Sequence, residues 1–248
     1  MKVLKLLAVA VAVSASGLAM AETQVVHSGN VFEANQLIPT GVRAEVGTTG
    51  YGGAVLWTAN PYVGIALGYN GGDISWSDDL SINGSKYDLD MDNNLAYLNA
   101  EIRPWGASNN VWAQGLYMAA GVGYIDNEYA LDRRVKPGQG FTVNNTDFIA
   151  GTNGAQISGK QVYKNEFAPY VGLGFAPKIT KNFGVFGEVG AYYTGNPDAN
   201  LTLVSGGAAN NPTGGSLVNN IIREEDKIRN DDKYEWLPVG KVGVSFHF

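Results

Sequence analysis

The sequence predicts an all-β fold, an eight-stranded antiparallel transmembrane β-barrel with short periplasmic turns and long extracellular loops. Three observations point there: segments in which every second residue is apolar, connections that alternate short and long, and aromatic residues gathered at segment ends. Successive side chains of a strand face opposite ways, so alternation over a dozen residues marks a wall with two different surroundings.

The first residues read as an export signal. Lys2 and Lys5 give a positive start, Leu6 to Val13 an apolar run, and Ala19-Met20-Ala21 a small-x-small cleavage site. A transmembrane helix needs about 20 apolar residues, and this run is shorter. Cleavage after Ala21 divides the chain into a signal segment, 1–21, and a barrel domain, 22–248. Losing two lysines leaves 15 basic against 23 acidic residues, a net charge of −8.

The strands follow in order. Val42, Ala44 and Val46 alternate with Arg43 and Glu45; beyond Thr48-Thr49-Gly50, the residues Tyr51, Gly53, Val55 and Trp57 continue the pattern. A tight hairpin between them gives an even strand count, the rule for single-chain bacterial barrels, whereas one long strand would give an odd one. Val63 to Tyr69, Ala96 to Arg103, Leu116 to Tyr124, Pro169 to Phe175 and Val185 to Tyr193 repeat the alternation. The last strand counts back from Phe248 through Phe246, Val244, Val242, Gly240, Pro238, Trp236 and Tyr234. Its terminal aromatics, Phe246 and Phe248, resemble the signal that outer-membrane barrels present to the barrel-assembly machinery.

Short connections fall at Ala59-Asn60-Pro61, Gly106 to Asn110 and Thr180 to Asn182; long ones at Asn70 to Lys86, Asp132 to Ser158 and Asn196 to Asp232. Trp57, Trp105, Trp112 and Phe183 lie beside short turns, and Tyr193 and Trp236 toward long loops. Such rings prefer a membrane–water interface, where an apolar body and a wet tip are both satisfied. A soluble lipocalin-like barrel would turn its apolar face inward and would have no reason for two aromatic belts. Composition agrees with the membrane reading. The chain has no cysteine, 33 glycines and only 16% charged residues. No later segment reaches 18 uninterrupted apolar residues, which excludes a helical membrane protein.

Eight strands enclose an interior that side chains nearly fill. The inward set is Arg43, Glu45, Glu101, Arg103, Lys178, Glu188 and Lys241. Four cations and three anions in a narrow tube should pair, because an unpaired buried charge is costly. They form either a structural ion-pair plug or a polar path that exchanges partners with a zwitterionic or cationic solute; an open water channel is not supported. Asp73, Asp78, Asp79, Asp88, Asp90 and Asp92 face only Lys86 between Asn70 and Asn93, a local balance of −5. Such a field gathers cations at an acidic mouth within a Debye length of about 8 Å. A solvated surface, or divalent bridging to lipopolysaccharide, accounts for the same carboxylates.

Other motifs fail on context. Gly154 to Lys160 fits G-x-x-x-x-G-K, yet Gln161 stands where a phosphate loop needs Ser or Thr, and no strand-to-helix turn surrounds it. Asp88 to Asn93 is a calcium-loop fragment lacking the sixth-position glycine, with Asn99 in place of the bidentate glutamate. Enzymatic barrels usually need a histidine base. Only His27, in the N-terminal tail, and His247, at the periplasmic end of the last strand, are available, so no enzyme, cofactor or metal is expected. The expected partners are outer-membrane lipid, lipopolysaccharide, the assembly machinery and small solutes, not nucleic acid, and the expected state is a monomer.

Several contiguous blocks stand out: 44–53 (AEVGTTGYGG), 59–64 (ANPYVG), 67–76 (LGYNGGDISW), 87–94 (YDLDMDNN), 99–108 (NAEIRPWGAS), 184–197 (GVFGEVGAYYTGNP) and 233–243 (KYEWLPVGKVG). They closely resemble the carbapenem-resistance-associated outer-membrane protein family, CarO. The likeness covers nearly all of the mature chain and departs at 132–160 and 199–226. The resemblance implies an eight-stranded barrel without a wide pore. It also implies slow uptake of small solutes such as glycine or ornithine, and a link to carbapenem susceptibility. It brings no set of binding residues.

Overall fold

The structure, a computed structural model, describes residues 38–82, 85–208 and 214–248. The expected signal segment, 1–21, and His27 lie outside the described residues. Among the described residues ten strands are present: β1 (Gly41–Gly47), β2 (Gly50–Asn60), β3 (Val63–Ile82), β4 (Ser85–Ile102), β5 (Leu116–Val135), β6 (Gly140–Val143), β7 (Thr146–Phe175), β8 (Phe183–Tyr193), β9 (Asp198–Ala208) and β10 (Trp236–His247). Eight of them close into a ring, β1-β2-β3-β4-β5-β7-β8-β10, with β10 returning antiparallel to β1 through Arg43↔Ser245 and Val46↔Val242. Closure satisfies every ladder, which hydrocarbon demands because an unpaired backbone group there costs several kcal/mol.

The predicted tight hairpin is present, with Gly47 paired to Gly50 across Thr48-Thr49. Gly50 has φ +95°, and a Cβ there would come within 2.3 Å of the Gly71 carbonyl oxygen, so a side chain is barred twice over. At the opposite end, Asn60 Oδ1 accepts from the Tyr62 and Val63 amides at 2.8 and 3.0 Å, tightening the β2–β3 turn. The β4–β5 connection contains a one-turn helix, α1 (Val111–Gly115), capped by Asn110 Oδ1 accepting from Trp112 N at 2.9 Å.

The three long connections are folded rather than loops. Asn70 to Lys86 is a hairpin in which β3 and β4 stay paired out to Ile82↔Ser85. Asp132 to Ser158 holds the end of β5, the β6–β7 hairpin and the first half of β7. Asn196 to Asp232 holds β9, which pairs with β7, and a second helix, α2 (Leu217–Asn230). The alternation does not end at the membrane; its polarity changes. On β4, Asp88, Asp90 and Asp92 face outward to water, while Tyr87 and Met91 face inward and are buried. β10 begins at Trp236, two residues after Tyr234, because Asp232–Tyr234 form a 3₁₀ turn capped by Asp231.

The barrel wall is therefore uneven. A tilted membrane strand needs about 9–11 residues. β3, β4 and β5 have 20, 18 and 20, whereas β1, β2, β8 and β10 have 7, 11, 11 and 12. Two cores result, one filling the lumen around Tyr97, Tyr117, Tyr170 and Tyr192, the other outside around Leu131, Phe141, Ile157, Leu201 and Ile221. Leu89 packs against both. No helix among the described residues is long and apolar enough to cross a membrane.

Candidate functional site

Glycines on the lumen face let large polar side chains lie flat across a narrow tube. A Cβ on Gly68 would meet the Tyr97 ring at 2.4 Å, and one on Gly174 would meet Tyr117 at 2.1 Å. The filled interior thus accounts for glycines that would otherwise weaken their strands.

Across the space so made runs a continuous chain of charge. Arg103 Nη2 donates to Glu101 Oε2 at 2.6 Å, and Glu101 Oε1 accepts from Arg43 Nη1 at 2.8 Å. Arg43 Nε donates to Glu45 Oε1 at 2.7 Å. Lys241 Nζ lies 3.7 Å from Glu45 Oε2 and 3.1 Å from Glu188 Oε1. Three cations and three anions from β1, β4, the end of β4, β8 and β10 therefore sum to zero. Tyrosine hydroxyls satisfy remaining lone pairs: Tyr97 donates to Glu45 at 2.5 Å, and Tyr117 and Tyr170 donate to Glu188 at 2.6 and 2.7 Å. Asn70 Nδ2 also donates to Glu45, at 3.0 Å. The cations meet aromatic faces as well, Arg43 over Phe186 at 4.3 Å and Lys241 over Tyr97 at 4.2 Å. Arg43, Glu45, Glu101, Glu188 and Lys241 are all buried; Arg103 is half-buried at the periplasmic end.

Toward the outside the lumen is filled by Leu95, Ile125, Tyr192 and Leu237, all buried. Of two cavities, one of about 170 Å³ borders the outer end of this filling, lined by Ile125, Tyr163, Thr194 and Asn196. The other, of about 190 Å³, is lined by Lys86, Asp132, Arg133 and Phe141, and neither touches the charge chain. The arrangement is a neutral, tightly bonded chain of charge in a lumen filled by side chains.

Two predicted placements need correction. Lys178 does not join the chain: it is exposed just past the end of β7, bridged to Gly184, and makes no ion pair among the described residues. The other six charges already balance, so a seventh has no buried partner to claim. Asp73, Asp88, Asp90 and Asp92 do not ring a mouth, because their strand positions put them on the outer face of the barrel extension. The side chains of Asp78 and Asp79 lie outside the described residues. Gly154 to Lys160 belongs to β7 and Asp88 to Asp92 to β4, a strand face as the failed calcium-loop pattern suggests.

The outer surface carries an apolar band. Leu67, Leu98, Met118, Leu173, Val189, Val242 and Val244 are exposed outward. Trp105, Trp112, Phe183 and Phe246 are exposed at the periplasmic end, and Tyr193 and Trp236 at the other, while Trp57 is partly covered. Several belt rings pair edge to face: Phe183 with Phe246 at 5.0 Å, Phe246 with Phe248 at 5.8 Å and Tyr193 with Trp236 at 5.2 Å. His247 lies at the periplasmic end with Nε2 3.2 Å from Ser245 Oγ.

Residue-by-residue reading missed the tyrosine donors and Glu224, a carboxylate buried in the outer core. The tyrosines were visible as the partners of apolar positions in β4, β5, β7 and β8. Glu224 was visible in the spacing Leu217, Ile221, Glu224, Ile228, one stripe of a helix begun by Ser216.

A closed antiparallel ring with an apolar outer band, two aromatic belts and a polar filled interior defines a membrane-spanning barrel of the outer-membrane class. The chain belongs to the CarO family. It is 68% identical to Acinetobacter baumannii CarO, whose crystal structure superposes with a TM-score of 0.80 over 86% of this chain and 100% of that one. Acinetobacter baumannii CarO2 is 63% identical, with a TM-score of 0.79 over 86% of this chain and 100% of that one. No family model matches the chain, and neither does any curated relative. As a member of this family the chain is an outer-membrane barrel.

Proposed function

We propose that the chain mediates slow, passive uptake of small zwitterionic or cationic solutes, such as glycine, ornithine and other basic amino acids, without catalysis. The observation that carries this reading is the neutral chain from Arg103 to Glu188, which alternates cation and anion along one line. An amino acid, the basic ones included, offers both charges and can stand in for a cation and an anion of one link together, whereas a simple cation can replace only the cationic partner. Passage is slow because each exchange breaks charge-assisted bonds in a desolvated lumen. Carbapenems, which carry a carboxylate, would meet the same chain; their entry is part of the proposal. So are a monomeric state, contact with lipopolysaccharide and delivery by the assembly machinery.

Swelling of liposomes holding the folded mature chain tests the reading. Glycine and ornithine should enter faster than into empty liposomes, and a neutral solute of equal size should not. Rates equal to empty liposomes for both amino acids would remove it. The filled lumen favours a second reading, a closed barrel serving envelope integrity. Unchanged uptake with altered detergent sensitivity in a deletion strain would support that one instead.

A further inference from the structure

The second helix packs against the inward face of the strands that rise beyond the membrane. α2 buries Leu217, Ile221, Glu224 and Ile228 and leaves Val218 and Ile222 exposed. Its buried stripe packs with Tyr87 and Leu131, inward-facing residues of β4 and β5, and with Leu201 of β9. Those inward positions continue the lumen wall above the membrane, so the helix sits on the concave side of the tall wall.

Its attachments are mostly polar and neutral. Asn196 Nδ2 donates to the Asp231 carbonyl at 2.9 Å, holding the helix end, and Leu201 N donates to Glu225 Oε2 at 2.9 Å. Asn220 Oδ1 accepts from Asn144 Nδ2 and Thr146 Oγ1, both at 3.2 Å. At the centre is Glu224, with no exposed surface. Tyr87 OH donates to its Oε1 at 2.6 Å; Ser85 Oγ and Asn144 N donate to its Oε2 at 2.7 and 2.6 Å. The last donor is set by the β6–β7 hairpin, where Asn144 and Asn145 hold φ +51° and +56°, the two left-handed positions of a type I′ turn. The titratable groups facing Glu224 are Tyr87 on β4, Arg133 on β5 and Tyr234 in the 3₁₀ turn. Arg133 acts on it through space, while its own Nη1 donates to the Thr142 carbonyl at 3.0 Å and its guanidinium lies over Phe141.

We propose that α2 is a lid over the outer mouth, latched by Glu224, and that the latch loosens when Glu224 carries its charge. Burial pushes the Glu224 carboxyl above its ordinary value of 4.5, and the hydroxyls, the Asn144 amide and Arg133 offset only part of that. The sign follows. A carboxyl whose value is higher docked than undocked binds its proton more tightly when docked. Docking is therefore strongest below the ordinary carboxylate range, weakens as pH rises toward the raised value, and is constant above it. Each unit between the two values is a tenfold change in the docking equilibrium.

The inference concerns the lid alone, so it stands or falls separately from solute uptake. Hydrogen exchange of the Leu217–Asn230 amides tests it on the whole mature chain in lipid nanodiscs between pH 5 and 9, corrected for intrinsic exchange. In the wild type, helix protection should fall as pH rises across that range, while that of β1 and β10 stays constant. Glu224→Gln should keep helix protection flat at or above the wild-type acid level. Should Glu224→Gln not fold, Tyr87→Phe gives the same information: loss of one donor to the carboxylate should cost more protection at pH 9 than at pH 5. Flat wild-type protection, or equal loss at both pH values in Tyr87→Phe, would overturn the latch.

Discussion

In the lumen, Glu45, Glu101 and Glu188 each touch at least one cation, and the charges sum to zero. In the outer core, Glu224 is reached by two hydroxyls and a peptide N–H, with Arg133 acting through space. Both regions bury carboxylates, yet they fail differently. A balanced set of buried ions resists piecemeal loss, because removing one member strands its neighbours without solvent. A carboxylate held by neutral donors can take up a proton and keep most of its bonds, so its surroundings answer to pH. The same chain thus carries a charge-balanced network inside the membrane and, in the proposal above, a pH-responsive cover outside it.

The largest test of this contrast is Glu101→Ala, which leaves Arg43 and Arg103 buried or half-buried without their shared anion. The expected cost is about 3–5 kcal/mol, the range for breaking a buried pair, read as a lower unfolding temperature by heat-dependent gel mobility of the detergent-folded barrel. An unchanged unfolding temperature with raised bilayer conductance would instead make Glu101 a removable stopper. Tyr170→Phe withdraws one donor from Glu188 and should cost about 1.5–3 kcal/mol, as for a hydrogen bond to a charged group. Gly174→Ala drives a methyl group against Tyr117 and should cost about 1–3 kcal/mol, the usual price of overpacking. Both follow from the same melting curves. The smallest effect belongs to Asp92→Asn on the outward face, where a shift beyond about 0.5 kcal/mol would show that this carboxylate is more than solvated surface.

How much the sequence discloses differs between the two regions for a physical reason. In the membrane the two faces of each strand meet lipid and a packed lumen, so Val242 and Val244 stand apart from Lys241 and Ser245, and all eight ring strands are legible. Above the membrane the outward face meets water. Asp88, Asp90 and Asp92 then replace the apolar outward set, although Tyr87 and Met91 keep the same period. β9 hides similarly, as Ala199 and Leu201 alternate with Asn200 and Thr202 in a segment bounded by turn-forming residues. Lys178 was misplaced because extending strand parity past Phe175 assumes a strand that has already ended. The pairing of each lumen charge was beyond reach, since strand tilt decides which neighbours meet, and Arg43 reaches Glu101 rather than its register neighbours on β2 and β10.

Because the chain has no cysteine, single-site spin labelling examines the wall directly. Leu67→Cys and Val242→Cys place labels on the outward face; Ala66→Cys and Ala119→Cys place them on the lumen face. In lipid bilayers the outward labels should collide freely with dissolved oxygen and not with a water-soluble nickel complex, and the lumen labels should be shielded from both. Nickel access at Ala66 and Ala119 would mean an aqueous channel, nickel access at Leu67 and Val242 a wall that does not meet lipid, and either result would contradict a closed, ion-filled membrane barrel.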